Sequence, residues 1–253
     1  MKPSVFLAGA LALVAIAGCN SKQGDAATKQ GSVKLEMVKP PAGGDWTMVV
    51  NPTAAGGFMM GNPNAKVKLI EFGSLTCPHC REFDETGVPE LTSKYVKSGQ
   101  VSWEFRNYVR DPFDLTASLI ARCNGAKSFF PLMRAFYKDQ PVWVAKLQAA
   151  PQAQLEGLQN LPPNREFVEA AKVAGFPDWA AARGVPAEKS TQCLANEQSI
   201  NQLVQMTGDA TNQYPDFPGT PTFILNGTMV KMEGGSGTVW DQVSAALDKT
   251  LKG

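Results

Sequence analysis

The sequence predicts an α/β fold in which a helical block is inserted into a domain of strands and helices. The order of elements is β-α-β within residues 46–112, helical spacing over 113–208, and β-β-α within 209–253. Strand patterns on both sides of a purely helical stretch indicate one α/β domain with an inserted all-helical domain. A chain of 253 residues is long enough to bury a sizeable core.

The first β-α-β unit is indicated by changes in the hydrophobic period. Residues 67–72 are mostly apolar and lie between two turn sequences, which predicts a strand. Pro78 stands where a first-turn proline is tolerated, and helical spacing continues to about Val96 with a kink expected at Gly87. Residues 101–106 alternate between apolar and polar and predict a second strand.

The rest of the chain is assigned by the same rules. Asp111-Pro112 opens a stretch of helical spacing that several prolines divide into shorter helices. Residues 221–225 and 228–230 are strand-like, and the Asn226-Gly227 between them is the strongest short signal for a β-hairpin. Apolar positions over 239–247 predict a closing amphipathic helix.

The N-terminus has the features of an export signal. Lys2 precedes an apolar run over 5–17, and small residues and Cys19 follow. Ordinary signal peptidase could cut after Ala15-Ile16-Ala17, but a cysteine directly at the cut favours a lipoprotein with a lipidated Cys19.

This export signal sets the expected location of the protein. We assign 1–19 to a signal peptide of lipoprotein type, cut before Cys19. Residues 20–45 are polar and rich in Gly and Ser, which is typical of a flexible tether. We therefore expect a periplasmic protein that a lipid anchors to a membrane.

The charge of the chain excludes one class of partner. Lys and Arg number 24 and Asp and Glu 23, so the formal net charge is +1. This balance gives no electrostatic reason for binding nucleic acid, and none is expected.

The cysteine count fits an oxidising compartment. The chain has five cysteines: Cys19, Cys77, Cys80, Cys123 and Cys193. If Cys19 is lipidated, the closely spaced Cys77 and Cys80 pair with each other, which leaves Cys123 to pair with Cys193.

Cys77-Pro78-His79-Cys80 carries the most information about chemistry. Two cysteines with this spacing at the start of a helix can form a small redox-active disulfide ring, and disulfide exchange needs a thiolate. The first N–H groups of the helix and His79 would favour the thiolate of Cys77. Because a stabilised thiolate makes the disulfide a better oxidant, the motif predicts a site that gives its disulfide away.

A zinc site and a purely structural disulfide are the alternatives to redox catalysis at this motif. Zinc could be bound if Cys123 and Cys193 joined Cys77 and Cys80, whereas a structural ring this small would add little to stability. A motif that directly follows a strand in an exported protein favours redox catalysis over both. We therefore expect no metal and no cofactor.

Two residues outside the motif are candidates for its chemistry. Glu71 lies in the strand that leads to Cys77, where it either points outward or is buried beneath Cys80 as a proton relay with a raised pKa; we favour the relay. Pro221 opens a later strand, and an isolated proline of this kind is usually trans.

Two segments resemble the DsbA family of bacterial periplasmic thiol oxidases. They are residues 71–80, with the Cys-Pro-His-Cys motif, and residues 219–223. In element order the resemblance extends over about 46–252, and it implies a thioredoxin-like fold with an inserted helical domain.

The resemblance also implies roles for the residues of the motif. Cys77 would be the attacking cysteine, His79 would stabilise its thiolate, and Cys80 would resolve the mixed disulfide. Glu71 would be the buried acid.

Further features of the family concern peptide binding and stability. The resemblance implies that Pro221 is a cis-proline facing the active site, with the Thr220 backbone exposed to a partner peptide. The Cys123/Cys193 pair resembles the second, structural disulfide of some members.

Three functions are considered. The leading hypothesis is a monomeric oxidase that passes its disulfide to reduced or unfolded exported proteins, and the resemblance implies reoxidation by a DsbB-type membrane thiol oxidase. The alternatives are a disulfide isomerase or reductase of the same fold, since Thr220 is shared with several such enzymes, and a thioredoxin-fold lipoprotein that only binds a partner.

Overall fold

A computed structural model describes residues 35–41, 44–235 and 237–252 of the chain. The predicted signal peptide 1–19, with Cys19, lies outside the described residues, as does most of the predicted tether 20–45. Within the described ranges, no helix is both long and apolar enough to cross a membrane.

A mixed sheet of six strands lies at the centre of the described residues. Its strands are β1 (Val50–Pro52), β2 (Phe58–Gly61), β3 (Val67–Gly73), β4 (Val101–Asn107), β5 (Thr222–Leu225) and β6 (Thr228–Met229). Their order across the sheet is β1-β2-β4-β3-β5-β6. The β3–β4 pair is parallel and the other pairs are antiparallel. The central strand β3 therefore connects the first β-α-β unit to the C-terminal hairpin.

Strands β1 and β2 extend the sheet at one edge and were not predicted. β1 has three residues and ends in Pro52, and the Phe-Met-Met-Gly sequence of β2 does not alternate between apolar and polar. Proline and short, non-alternating sequences both weaken a strand prediction, and such strands are tolerated at a sheet edge.

The helix after β3 is kinked, as predicted. Helix α1 (Pro78–Thr86) ends at Gly87, α2 (Val88–Glu90) follows, and π-helical turns complete the segment from Leu91 to Val96. A Cβ on Gly87 would lie 2.9 Å from ring atoms of Phe83 and Trp240, so the glycine permits close packing against the C-terminal helix.

Eight helices lie between β4 and β5 in the described part of the chain. They are α3 (Pro112–Arg122), α4 (Ala126–Lys138), α5 (Gln140–Ala149), α6 (Gln152–Leu158), α7 (Pro163–Ala174), α8 (Phe176–Ala181), α9 (Ala187–Leu194) and α10 (Glu197–Gln213). The last helix continues past the predicted boundary at 208. Its buried side chains Leu203, Met206 and Ala210 keep one apolar face across that position, which explains the extension.

The C-terminal hairpin and helix form as the sequence indicates. Asn226 and Gly227 both have positive φ, 48° and 86°, the conformation that a two-residue hairpin turn of type I′ requires. Helix α11 (Val239–Lys252) then packs an apolar face against the sheet. Together with the parallel β3–β4 pair, these elements confirm the predicted α/β fold with a helical insertion.

The helical block and the sheet share one hydrophobic core. Phe129 of α4 stacks on Phe58 of β2 with ring centroids 4.4 Å apart, and it lies 5.6 Å from the ring of Phe105 in β4. The described residues from 35 onward belong to one compact unit, so the predicted helical domain and the sheet domain do not have separate cores.

Cys123 and Cys193, which the sequence predicts to pair, are joined by a disulfide. The bond links the C-terminal end of α3 to α9, and it closes a loop with a sequence separation of 70 residues. Because both ends lie in the helical block, the cross-link restrains the block without contacting the Cys77 motif.

Replacing both Cys123 and Cys193 by serine is therefore expected to lower the free energy of unfolding. A loop of this length corresponds to about 4 kcal/mol in the chain-entropy account of disulfides. Urea unfolding of the double variant and the wild type, both with Cys77 and Cys80 oxidised, measures the difference. Equal midpoints and slopes would show that the bond adds nothing to stability.

Candidate active site

Cys77 and Cys80 lie where the carboxyl end of β3 meets the start of α1. Cys77 caps the N-terminus of α1 in an extended conformation, and Pro78 occupies the first helical position, where its missing N–H costs nothing. Both cysteines are buried free thiols in this structure. The reduced form of the motif is thus the form described.

The environment of Cys77 favours its thiolate. Hydrogen bonding from the Cys80 thiol is the largest cause, the Thr220 side chain and the backbone N–H groups of Cys80 and His79 contribute, and together they outweigh burial and lower the pKa of Cys77 to about 5. All of these donors except Thr220 belong to the first turn of α1, whose N–H groups have no partners within the helix. At neutral pH Cys77 is therefore an anion and a nucleophile.

Cys80 has the opposite character. It is fully buried, and burial raises its pKa well above the ordinary value, with the nearby Cys77 and Glu71 adding to the rise. Cys80 therefore keeps its proton and can donate it to the Cys77 sulfur. Two cysteines three positions apart thus differ sharply in acidity.

Glu71 is buried in the central strand β3, not turned outward from an edge. The indole N–H of Trp103 donates to its Oε2 at 3.0 Å. Burial raises the pKa of Glu71 well above its ordinary value, and the charges of Asp84 and Cys77 raise it further. The side chain is thus a protonated acid near the redox pair.

His79 contributes to Cys77 through its backbone. Its side chain is 71% exposed, and Nδ1 lies 3.5 Å from Oε2 of Glu82. The structure therefore brings the backbone N–H of His79, rather than its imidazole, to the Cys77 sulfur.

The Thr220–Pro221 peptide bond is cis. The trans bond that an isolated proline favours is therefore not found, and the cis bond implied by the family resemblance is. The Sγ of Cys77 lies 3.2 Å from the Thr220 carbonyl oxygen, to which the protonated thiol form can donate a hydrogen bond. Thr220 and Pro221 thus lie directly beside the motif although they are far from it in sequence.

The structure does not bring together the four cysteines of the alternative zinc site. Cys123 and Cys193 are bonded to each other, so they are not available to complete a zinc site with Cys77 and Cys80. The described residues contain no cluster of three or more histidine, cysteine or acidic side chains suited to a metal.

Sequence reasoning missed several buried polar residues around the motif. Asp84 of α1 pairs with Arg134 at 3.2 Å, and burial raises its pKa to about 6. Asp114, Tyr137 and Gln140 reach the site from the helical block. In sequence these resemble ordinary helix residues, since their partners are distant in the chain.

Comparison with known proteins agrees with this geometry. The family described as Thioredoxin matches residues 53–249. A crystal structure described as a protein-disulfide isomerase from Novosphingobium aromaticivorans is 33% identical, with 77% of this chain and 97% of that chain covered and a TM-score of 0.71. The structure of Wolbachia pipientis α-DsbA1 has the same fold at 19% identity, covering 79% of this chain and 94% of its own, with a TM-score of 0.61.

One curated relative, from Rickettsia felis, has the provisional name protein-disulfide oxidoreductase. It is 29% identical over 196 residues, which make up 77% of this chain and 60% of that protein. The chain thus spans about three fifths of the length of the first curated relatives it matches, with 60%, 64% and 61% covered. The family match over most of the chain, and the identity to a structure covered almost completely, show that the chain belongs to the thioredoxin family.

Proposed function

We propose that the protein is a thiol:disulfide oxidoreductase of DsbA type that donates the Cys77–Cys80 disulfide to exported proteins. The observation that carries the proposal is the contrast between the two cysteines. Cys77 has a pKa lowered to about 5, whereas burial keeps Cys80 protonated. A thiol of low pKa is the better leaving group, so electrons flow readily from a substrate to this pair.

The donation step follows from this contrast. In the oxidised protein, a substrate thiolate attacks the Cys77 sulfur, the bond between Cys77 and Cys80 breaks, and Cys80 leaves as a thiolate. A second substrate thiolate then attacks the substrate sulfur of the mixed disulfide and releases Cys77 as a stable thiolate. Two substrate thiols are oxidised, one disulfide of the protein is reduced, and Cys80 takes up one proton while Cys77 stays a thiolate.

Glu71 would supply that proton. A buried carboxylic acid can protonate Cys80 as it leaves and recover a proton from solvent afterwards. Burial raises its pKa and so favours the acid form, which this step requires. His79, implied by the resemblance to stabilise the thiolate, would do so through the N–H contact already described and, in a bound complex, through its exposed imidazole.

The Thr220 carbonyl and Pro221 would receive the substrate backbone. The carbonyl lies beside Cys77, just before strand β5 begins at Thr222, and an extended peptide could hydrogen-bond to the backbone there. This mode of recognition is independent of side chains, which suits an enzyme that oxidises many unfolded proteins.

The remaining features of the proposal concern location and partners. We infer a periplasmic monomer anchored through a lipid on Cys19, with a DsbB-type membrane oxidase restoring the Cys77–Cys80 disulfide. The cysteine at the predicted cleavage site supports the anchor. The Cys123–Cys193 disulfide is consistent with an oxidising compartment.

The nearest alternative is a disulfide isomerase or reductase. It is favoured by one observation, the description of the 33% identical Novosphingobium aromaticivorans structure as an isomerase. An isomerase must be kept reduced, so alkylating the thiols in acid-quenched cells separates the two functions. An oxidase is recovered with Cys77 mostly oxidised, and an isomerase with Cys77 mostly reduced. A lipoprotein that only binds a partner would be unaffected by replacing Cys77.

The oxidised protein is expected to accelerate disulfide formation in a reduced, unfolded substrate. Cys77→Ser should abolish the acceleration because the attacked sulfur is gone. Cys80→Ala should accumulate a mixed disulfide with the substrate when supplied with an external oxidant. The measurement is recovery of substrate activity, with non-reducing gels for the mixed species. No acceleration by protein confirmed to be oxidised would exclude the proposed donor activity.

Glu71→Gln is expected to slow release of Cys80 and to change how stability depends on pH. Removing a general acid of this kind should lower the rate of donation by about tenfold or more. Because its folded pKa is raised, Glu71 binds more protons in the native state, so stability falls as pH rises above about 4.3, by up to about 1.4 kcal/mol per pH unit.

The glutamine variant should flatten this fall, since glutamine does not titrate. Glu85→Gln is the matched control, because Glu85 is also acidic and lies on α1 but is 48% exposed. Urea unfolding between acid and neutral pH, combined with the donation rate, measures both effects. Equal behaviour of the two variants would remove Glu71 from the mechanism.

A further inference from the structure

The loop that joins β3 to Cys77 is held by the helical block. Asp114 of α3 is buried, and its Oδ1 accepts a hydrogen bond from the Leu75 N–H at 2.8 Å. Its Oδ2 accepts hydrogen bonds from the Ser74 hydroxyl at 2.6 Å and from the Arg110 N–H at 3.0 Å. One carboxyl group thus binds two consecutive loop residues and the start of its own helix.

A second carboxyl group holds the next loop residue. The Thr76 hydroxyl donates to Oδ2 of Asp111 at 2.7 Å, and the Thr76 and Ser74 hydroxyl oxygens lie 3.1 Å apart. Asp111, Thr76, Ser74 and Asp114 therefore form a continuous chain of polar contacts. These three contacts have only the two hydroxyl protons of Ser74 and Thr76 between them. A proton on Asp114 would supply the third, so that every contact could be a hydrogen bond.

Two uncharged side chains of the block hold the loop carbonyls. The amide of Gln140 donates to the Leu75 and Cys77 carbonyls at 2.8 and 3.1 Å. The Tyr137 hydroxyl donates to the Ser74 carbonyl at 3.2 Å. Ser74, Leu75 and Cys77 thus hydrogen-bond to the insertion, and Thr76 hydrogen-bonds to Asp111, which caps its first helix.

The position of Cys77 depends on this loop. Cys77 is the N-cap residue of α1, so the hydrogen bonds between its sulfur and the first turn form only while the loop holds it at that position. Three of the donors that favour its thiolate, the Cys80 thiol and the N–H groups of His79 and Cys80, lie within the first turn of α1, and hydrogen bonds weaken steeply with distance and angle. A small displacement of the loop would therefore cost Cys77 part of its stabilisation.

On this basis we propose that Asp114 is a positioning residue of the redox site: by holding Ser74 and Leu75, it keeps the Cys77 sulfur against the first turn of α1. The inference rests on the proposed function for its biological meaning, but its test does not require that function. Asp114 acts through geometry, because its charge is not among the causes that shift the pKa of Cys77.

Two variants separate geometry from charge. Asp114→Ala removes every contact to the loop. Asp114→Asn removes the charge and the contact with the Arg110 N–H, because an amide NH2 cannot accept, but its oxygen can still accept from Leu75 and its NH2 can donate to the Ser74 hydroxyl. Ser118→Ala is the matched control: Ser118 is another buried polar residue of α3, and it accepts from Asn107 at 3.0 Å without touching the loop.

The readout is the rate of Cys77 alkylation as a function of pH in the reduced, full-length protein. In Asp114→Ala the midpoint is expected to rise by about one pH unit, a tenfold smaller fraction of thiolate below the midpoint. In Asp114→Asn it should stay close to that of the wild type. Ser118→Ala should lower the unfolding midpoint but leave the alkylation profile unchanged. If Asp114 had a merely structural role, Asp114→Ala would behave in the same way.

Several outcomes would overturn the proposal. An unchanged or lower midpoint in folded Asp114→Ala would do so, as would an equal shift in Asp114→Asn. If Asp114→Ala does not fold, Ser74→Ala decides instead, since an upward shift supports the proposal and an unchanged midpoint refutes it. Oxidative refolding by the wild type is scored separately, so loss of the proposed donor function would not be mistaken for failure of this positioning role.

Discussion

The chemistry of this protein depends on one sulfur anion at the N-terminus of a helix. The first turn of α1 directs N–H groups at Cys77, and the buried Cys80 adds its own proton, so the negative charge is shared among several donors. Burial opposes the charge, and the donors outweigh it at Cys77 but not at Cys80. In the proposed function, this imbalance makes Cys77 the exchange partner for other proteins and Cys80 an internal thiol.

The surrounding fold serves to hold that geometry. Strand β3 brings Glu71 beneath the motif, the hairpin brings the Thr220 carbonyl beside Cys77, and the helical block holds the connecting loop through Asp114. The insertion therefore also positions the loop that carries Cys77. Its core is continuous with that of the sheet, and the Cys123–Cys193 disulfide links its helices α3 and α9.

Local signals in the sequence were sufficient to predict the redox motif and much of the fold around it. The Cys77 motif after a strand, the Asn226-Gly227 turn and the amphipathic spacing of α11 each act over a few residues, and the structure agrees with them. The contacts of Asp114 could not be predicted in this way, because its partner Leu75 lies 39 positions earlier and an acid in a first helical turn is common. Strand β1 was missed because its three residues end in a proline.

The most direct test is titration of the reduced protein, with the Cys123–Cys193 disulfide intact, followed by the ultraviolet absorbance of thiolate. A single thiolate should form with a midpoint near pH 5, where Cys77 ionises, and the second should not form near neutrality because Cys80 is held as a thiol. The transition should be absent in Cys77→Ser. A first thiolate that appears only near the ordinary pKa of 9.0 would contradict the account, because the helix terminus would then not stabilise the thiolate of Cys77.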